Sequence, residues 1–277
     1  MSSTWRRRDF LRAFGGAVGL VAGAPALAAV GGLPTNVAHT DSSPEWERLR
    51  TNLFKDRPIE VTASKVMVMV PLRAAYGAAV PVKIASRLPQ TPELYVKRLY
   101  VVVDKNPSEL AAVLDLTPEL GQADFEMRLR VNEYSHVRVI GELSNGELHM
   151  DSRYVKTSGG CSAPPNRGPL GEIGKTAFKI PEGVKINGLT TVDVRVTHPN
   201  DTGFELNNQT VMFIPPHFVR SIKVSYGQTK LFDAELDFSV SENPQLRFHF
   251  VPRQPDVLKA EVEDSKEAHF QGSLAVQ

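Results

Sequence analysis

The 277-residue chain has a single cysteine, Cys161. One thiol cannot form an internal disulfide, and it excludes zinc and iron–sulfur sites built from several cysteines. The chain also lacks an excess of charge of one sign, because it has 32 Lys and Arg residues and 31 Asp and Glu residues. The resulting net charge of +1 gives no reason to expect nucleic acid or an anionic membrane as the main partner. With 42% hydrophobic residues, the composition is that of a globular protein with one large domain or two of average size.

An apolar run long enough to cross a membrane is lacking too. The apolar stretch near the N-terminus is diluted by glycine and is shorter than the ~20 residues that a span needs. It follows the run Arg6-Arg7-Arg8-Asp9-Phe10-Leu11-Arg12 and ends at Ala26-Leu27-Ala28. Paired arginines, Phe-Leu, a weakly apolar region and an Ala-x-Ala site resemble a bacterial twin-arginine signal peptide. We therefore expect residues 1–28 to be removed after export to the periplasm, with no stable membrane insertion afterwards.

Cleavage after Ala28 removes four basic residues and one acidic residue, which leaves 28 basic and 30 acidic side chains. The mature protein is therefore mildly acidic. In an oxidising compartment, its one thiol is either buried and inert or kept for chemistry with another molecule.

Alternation of apolar and polar residues dominates the mature chain. It predicts half-buried strands at residues 125–131, 192–197 and 246–250. Helical spacing of apolar residues predicts a short amphipathic helix from Pro44 to Phe54. A second helical segment of one or two turns is predicted from Ser108 to Leu114.

Two turn signals add to the strand pattern. Asn145-Gly146 lies between two strand-like runs and predicts a hairpin with a type I′ turn, and Tyr226-Gly227-Gln228-Thr229 predicts another. Many short strands with closely spaced turns favour antiparallel β-sandwiches over alternating βαβ units. The expected fold class is therefore all-β.

The strand pattern stops between Tyr154 and Val184. The stretch 155–174 holds five glycines and three prolines and has no apolar period, which is typical of a linker. We therefore predict a first sandwich at 45–158, an arm and linker at 159–184, and a second sandwich at 185–277.

Cys161 lies within this predicted arm, after Gly159-Gly160 and before Ser162. Such a segment has no apolar face to bury a thiol, so we expect Cys161 to be exposed. The two glycines would leave the arm slim enough to enter a narrow channel. Seven extended residues after Tyr154 would place the sulfur on the order of 24 Å from the sandwich.

No pattern in the sequence predicts catalysis by the chain itself. There is no phosphate-binding loop, paired-carboxylate site or nucleophile elbow, and sequence supplies no fixed histidine partner for the thiol. The histidines His198, His217, His249 and His269 lack metal-ligand spacing, so we expect no metal site and no cofactor. His198 and His217 are expected to fix turns. Together with two compact sandwiches and one arm, these absences argue against catalysis by the chain itself, including cysteine-dependent catalysis.

Several runs resemble the SoxY and SoxZ carrier subunits of bacterial sulfur oxidation, joined here in one chain. The runs that resemble SoxY are Val-Pro-Val-Lys-Ile at 80–84, the strand of 97–105 with Asn106-Pro107, and Val-Lys-Thr-Ser-Gly-Gly-Cys at 155–161. The runs that resemble SoxZ are Val-Thr-His-Pro-Asn-Asp-Thr-Gly at 196–203, Pro-His-Phe-Val at 216–219 and Ser-Glu-Asn-Pro at 241–244. Together the two resemblances cover nearly the whole mature chain.

The resemblance implies two immunoglobulin-like sandwiches, with the second bracing the first, and a swinging arm whose cysteine carries sulfur intermediates covalently. The family arm ends its subunit, whereas here Ser162-Ala163-Pro164-Pro165 follows Cys161 and the chain continues. Prolines stiffen this exit, and tethering at both ends turns a free tail into a loop. Fused chains of this kind resemble SoxYZ-like carriers that accompany periplasmic quinoprotein dehydrogenases.

We therefore expect a periplasmic carrier in which Cys161 holds a sulfur-containing group, as a persulfide or thiosulfonate adduct. Its partners would be redox enzymes of a sulfur-oxidation system or a quinoprotein dehydrogenase. The alternative is a non-catalytic docking module for such a dehydrogenase.

Overall fold

The structure is a computed structural model that describes residues 42–164 and 172–277. Over these residues the protein is all-β, as predicted, with one α-helix. The signal peptide expected at 1–28 and residues 165–171 of the expected linker lie outside the described residues.

The strands fall into a first and a second half of the chain. The first half contains α1 (Pro44–Phe54) and strands β1 (Ile59–Glu60), β2 (Val66–Met69), β3 (Val80–Ser86), β4 (Val96–Val103), β5 (Leu110–Leu116), β6 (Phe125–Leu129), β7 (Ser135–Leu143) and β8 (Leu148–Val155). The second half contains β9 (Thr176–Lys179), β10 (Thr190–Val196), β11 (Leu206–Asn207), β12 (Met212–Phe213), β13 (Val219–Tyr226), β14 (Thr229–Leu236), β15 (Gln245–Phe250), β16 (Asp256–Asp264) and β17 (His269–Val276).

Two large sheets enclose one continuous apolar core. The larger sheet has the order β1-β8-β7-β4-β5-β14-β13-β16-β17, and the smaller has the order β2-β3-β6-β15-β10-β9. Strands β11 and β12 form a separate hairpin. Buried side chains from both sheets belong to the same core cluster, so the arrangement is sandwich-like.

Both large sheets run across the two halves of the chain. In the larger sheet β5 pairs antiparallel with β14, and in the smaller sheet β6 pairs antiparallel with β15. The ring of Phe232 in the second half meets Phe125 of the first half edge to face, with centroids 5.3 Å apart. Two sandwiches connected only by a linker would not share these contacts. The sequence did not predict this shared core.

The helix predicted at Pro44 to Phe54 forms with those bounds. Ser43 caps it, because its hydroxyl accepts a hydrogen bond from the Trp46 backbone N–H at 3.1 Å. Trp46 and Phe54 are buried against the outer face of the larger sheet, where Phe54 packs edge to face on Tyr100.

Both predicted hairpins form, at Asn145-Gly146 between β7 and β8 and at Gly227 between β13 and β14. The first turn is not type I′, because only Gly146 has a positive φ, of 89°, and Asn145 does not. The Gly146 N–H donates to the Leu143 carbonyl at 2.9 Å, as in a three-residue loop that ends with a glycine bulge.

Two local predictions are wrong. Ser108 to Leu114 is not helical, because Leu110–Leu116 is β5, a central strand paired on both sides by β4 and β14. Thr176–Lys179, within the expected linker, is β9 and pairs with β10. In both segments, strand pairing outweighs local propensity, and β5 also pairs with β14, which is distant in sequence. None of the helices in the described ranges is both long and apolar enough to cross a membrane.

Candidate functional site around Cys161

The single thiol is buried. Cys161 is 1% exposed, so the prediction that it stands in solvent at the end of an extended arm is wrong for this conformation. Instead of extending, the segment after β8 turns back and packs against the residues that follow β6. Of the residues expected in the arm, Gly160 is buried with Cys161, Gly159 is half-buried and Ser162 is exposed.

The two glycines make this close packing possible. Gly159 has φ of +70°, a left-handed conformation that glycine adopts without strain, and it redirects the chain. A Cβ on Gly160 would overlap the carbonyl oxygens of Gly77 and Val131, and it would lie 2.7 Å from the Val131 nitrogen. The glycines therefore serve to seat the arm in the protein, whereas the sequence analysis assigned them to a slim projecting arm.

Backbone hydrogen bonds hold the arm to the segment after β6. The N–H groups of Gly159 and Gly160 donate to the carbonyls of Asn132 and Val131, at 2.7 and 3.1 Å. The Cys161 N–H reaches the Asn132 side-chain oxygen at 3.4 Å, a weak contact. The first half of the chain thus supplies one wall of the thiol pocket.

Two side chains fasten the arm carbonyls, and we call these two bonds the latch. Arg130 donates from Nη1 to the Gly160 carbonyl at 3.1 Å, and Thr202 donates from its hydroxyl to the Cys161 carbonyl at 2.7 Å. Arg130 belongs to the first half and Thr202 to the second. Both halves must therefore be in place for the thiol to be enclosed.

A buried ion pair fixes the latch residues. The Nη2 atom of Arg130 lies 3.1 Å from Glu205 Oε1 and donates to the Asn200 carbonyl, also at 3.1 Å. Glu205 Oε2 accepts the Thr202 N–H at 3.1 Å. Arg130 and Glu205 are 2% and 0% exposed, so removal of either charge would leave the other buried and uncompensated.

Burial raises the pKa of the Cys161 thiol to about 12. The positive charge of Arg130 acts in the opposite direction, but Glu205 and Asp237 offset it by further disfavouring the thiolate. Because the thiolate is the nucleophile and the thiol is nearly inert, the enclosed Cys161 is protected chemically as well as sterically.

The residues that build this pocket were missed by the sequence analysis. Arg130 falls at a polar position of the strand predicted at 125–131, but β6 ends at Leu129, and Arg130 turns into the protein. Thr202 lies in the run 196–203, which resembles SoxZ. This resemblance was the sequence signal that could have identified Thr202 as a pocket residue. Nothing in the sequence pattern distinguished Asn132 or Glu205.

The four histidines considered in the sequence analysis are not all isolated from one another in the structure. His249, on β15, lies 3.2 Å from the Thr191 hydroxyl, and His269 is exposed at the start of β17. His198 and His217, however, come together, with ring centroids 4.5 Å apart, beside the carboxylate of Asp264.

Two family models match the chain. "Sulfur oxidation protein SoxY" matches residues 50–161, and "Sulphur oxidation protein SoxZ" matches residues 178–275. The SoxY match therefore ends on Cys161. No curated protein sequence matches the chain.

Solved structures are similar to parts of this chain. The sulfur carrier protein SoxY from Chlorobium limicola f thiosulfatophilum is 22% identical over 41% of this chain and 91% of its own, with a TM-score of 0.35. A superoxide reductase (neelaredoxin) from Ignicoccus hospitalis is 11% identical over 35% of this chain and 94% of its own, with a TM-score of 0.32. These TM-scores are too low to support an inference about function.

Proposed function

Because the chain belongs to the SoxY and SoxZ families of sulfur-oxidation proteins, joined in one polypeptide, we propose that it carries a sulfur-containing group covalently on Cys161. The observation that carries the proposal is the position of the only thiol. Cys161 is the last residue of the SoxY match, and residues of both halves hold its backbone.

The enclosed thiol is the protected state of the carrier in this proposal. Exchange with a partner requires the latch to open, which exposes the sulfur and returns its pKa toward the ordinary value of an exposed thiol. Formation of an S–S bond between the thiolate and a reduced sulfur compound releases two electrons, which a partner redox enzyme accepts. The thiol proton passes to the partner enzyme or to water, and the product on the chain is a persulfide or thiosulfonate adduct.

An exposed apolar hairpin, close in sequence to the latch residue Thr202, supports the proposal that the chain binds a protein partner. Val211, Met212 and Phe213, at and before β12, are 65 to 78% exposed, and β11 begins four residues after Thr202. Contiguous exposed apolar residues are typical of surfaces that contact another protein. The proposed partners are periplasmic redox enzymes of a sulfur-oxidation system or a quinoprotein dehydrogenase.

The proposal places the protein in the periplasm, after cleavage behind Ala28. Sequencing the N-terminus of the protein recovered from the periplasm of its host tests this placement. A mature chain that begins at Ala29 is the expected result, and an uncleaved chain in the cytoplasm would contradict it.

Intact mass measured without reductant tests the carrier role. We expect the protein purified from its periplasm to bear an added mass that maps to Cys161 and disappears with reductant. The Cys161→Ser chain should carry no such mass and should not replace the parent in its host. A Cys161→Ser chain with full function would instead support the docking module.

A further inference from the structure

Two histidines and one aspartate from distant parts of the sequence converge on one point. His198 follows β10, His217 precedes β13, and Asp264 is the last residue of β16. His198 and Asp264 are fully buried, and His217 is 15% exposed. The cluster therefore has one side turned toward solvent, at His217.

The distances between the donor atoms of these three residues are close to those between ligands of one bound cation. The Oδ2 atom of Asp264 lies 2.8 Å from His217 Nε2 and 3.5 Å from His198 Nε2, and one donor atom from each residue falls within 4.8 Å of the others. Zinc bonds to histidine and carboxylate ligands are about 2.0–2.2 Å long, which places two ligand atoms about 3.4 Å apart in a tetrahedral site. Small side-chain shifts would bring the three donors to that spacing.

The Asp264 carboxylate is oriented for this role. Its Oδ1 atom accepts the N–H groups of Lys266 and Ala268, at 2.8 and 3.0 Å. These two bonds fix the plane of the carboxylate and leave Oδ2 directed at the two histidines.

His198 carries the observation that points to a ligand. Its Nε2 atom is buried without a hydrogen-bond partner among the described residues, while its Nδ1 lies 3.0 Å from the side-chain oxygen of Asn200. The Asn200 backbone N–H lies 3.1 Å from the same Nδ1, so Asn200 offers this nitrogen both a donor and an acceptor. In the tautomer with the proton on Nδ1, that proton is donated to the side-chain oxygen, and Nε2 has a lone pair that faces the Asp264 carboxylate. A metal-bound histidine has this same arrangement, with its second nitrogen donating to an oxygen.

The other tautomer would let Nδ1 accept the Asn200 N–H but would leave the proton on Nε2 without a good acceptor. With the proton on Nε2, the donor stands 3.5 Å from Asp264 Oδ2, beyond the ~2.7–3.2 Å of a good N–H···O bond.

We propose that His198, His217 and Asp264 form a binding site for one divalent transition-metal ion of the zinc class, with an open coordination position on the His217 side. Two imidazoles and one carboxylate suit zinc better than magnesium or calcium, which prefer oxygen ligands. The ion would tie the loop after β10 to β13 and β16. That loop carries Thr202 of the latch and Asn200, whose carbonyl accepts a hydrogen bond from Arg130. The metal site does not depend on the carrier role.

Cobalt(II) absorption tests the site. The chain with Cys161→Ser is stripped with a chelator and titrated with Co²⁺, so that no thiol contributes to the spectrum. We expect one Co²⁺ per chain, with visible d–d bands of low-symmetry nitrogen and oxygen coordination and with displacement by Zn²⁺. A chain that binds no Co²⁺, or binds it without these bands, would overturn the proposal.

Two histidine variants in the same background locate the ion. His217→Gln, at the most exposed ligand, should weaken binding of Co²⁺ at least tenfold, whereas His269→Gln, at an exposed histidine on β17, should not change it. Zn²⁺ should raise the melting temperature of the parent and of His269→Gln but not that of His217→Gln. Equal affinities in the two variants would contradict the assignment, and circular dichroism of each metal-free variant checks that both are folded.

Discussion

At the scale of single residues, the decisive fact is that the one thiol of the chain is enclosed. Its pKa is raised to about 12 by burial, above the 9.0 of an exposed thiol. The closed arm is therefore stabilised at neutral pH, and that stabilisation is lost as the pH rises from about 9 through about 12.

Alkylation of Cys161 should show this pH dependence. At pH 7 to 8 iodoacetamide should label the native protein at least 100-fold more slowly than the unfolded chain, because only the opened arm reacts. The rate of the unfolded chain should level off above pH ~10, about one pH unit above the pKa of an exposed thiol, whereas that of the native protein should keep rising, since its apparent pKa is raised. Equal rates for native and unfolded chains at pH 7 would contradict enclosure.

The missing side chain of Gly160 should also matter for enclosure. In Gly160→Ala the new methyl group would overlap two carbonyl oxygens, so the arm should seat poorly and label at least tenfold faster than the parent. Ser162→Ala, which changes an exposed neighbour of the same thiol, is the matched control and should label like the parent. If both variants label at the parental rate, the glycine does not seat the arm.

At the scale of elements, the loop between β10 and β11 closes the pocket from the second half of the chain. Thr202 both donates to the Cys161 carbonyl and accepts the Phe204 N–H at 3.0 Å, while Glu205 accepts the Thr202 N–H. The loop is therefore a separate determinant of arm opening, distinct from the glycines.

Thr202→Val removes the latch hydroxyl and keeps the branched shape. A buried hydrogen bond contributes about 0.5–1.5 kcal/mol, so we expect alkylation of Cys161 to be about 2- to 13-fold faster than in the parent. Thr191→Val, on the neighbouring strand β10, provides a control with the same chemical change away from the thiol. An unchanged rate in Thr202→Val, or an equal increase in the control, would show that the latch bond does not hold the arm.

At the scale of the whole molecule, we expect the two halves to unfold as one cooperative unit, because both large sheets cross between them. Phe232 of β14 lies between Phe125 of the first half and Phe248 of the second, with centroids 5.3 and 5.0 Å away. This aromatic cluster lies where the halves meet, so its loss should weaken both.

Unfolding of a chain that lacks residues 1–28 tests this unity. Such a chain keeps Trp46 as its only tryptophan, which reports on the first half, whereas far-ultraviolet circular dichroism reports on all strands. We expect coincident transitions, and Phe232→Ala should lower the free energy of unfolding by about 3–5 kcal/mol by both probes. If the substitution leaves the unfolding transition reported by Trp46 unchanged, the two halves unfold independently.

The sequence alone determined much of the local structure. Alternation at 125–131, 192–197 and 246–250 predicted strands, and apolar spacing predicted the helix at Pro44–Phe54 with its bounds. The runs that resemble SoxY and SoxZ identified the families, and the count of one cysteine identified the thiol. These features depend on neighbouring residues or on composition, which a sequence states directly.

Only the tertiary structure decided where that thiol lies and what surrounds it. Local composition made residues 159–164 resemble an exposed arm, but their backbone finds partners in Asn132 and Thr202, which are distant in sequence. Contacts between residues distant in sequence also determine that Leu110–Leu116 is the strand β5. Such contacts bring His198, His217 and Asp264 together in one cluster. Burial, pKa and ligand geometry follow from such contacts, and no local pattern encodes them.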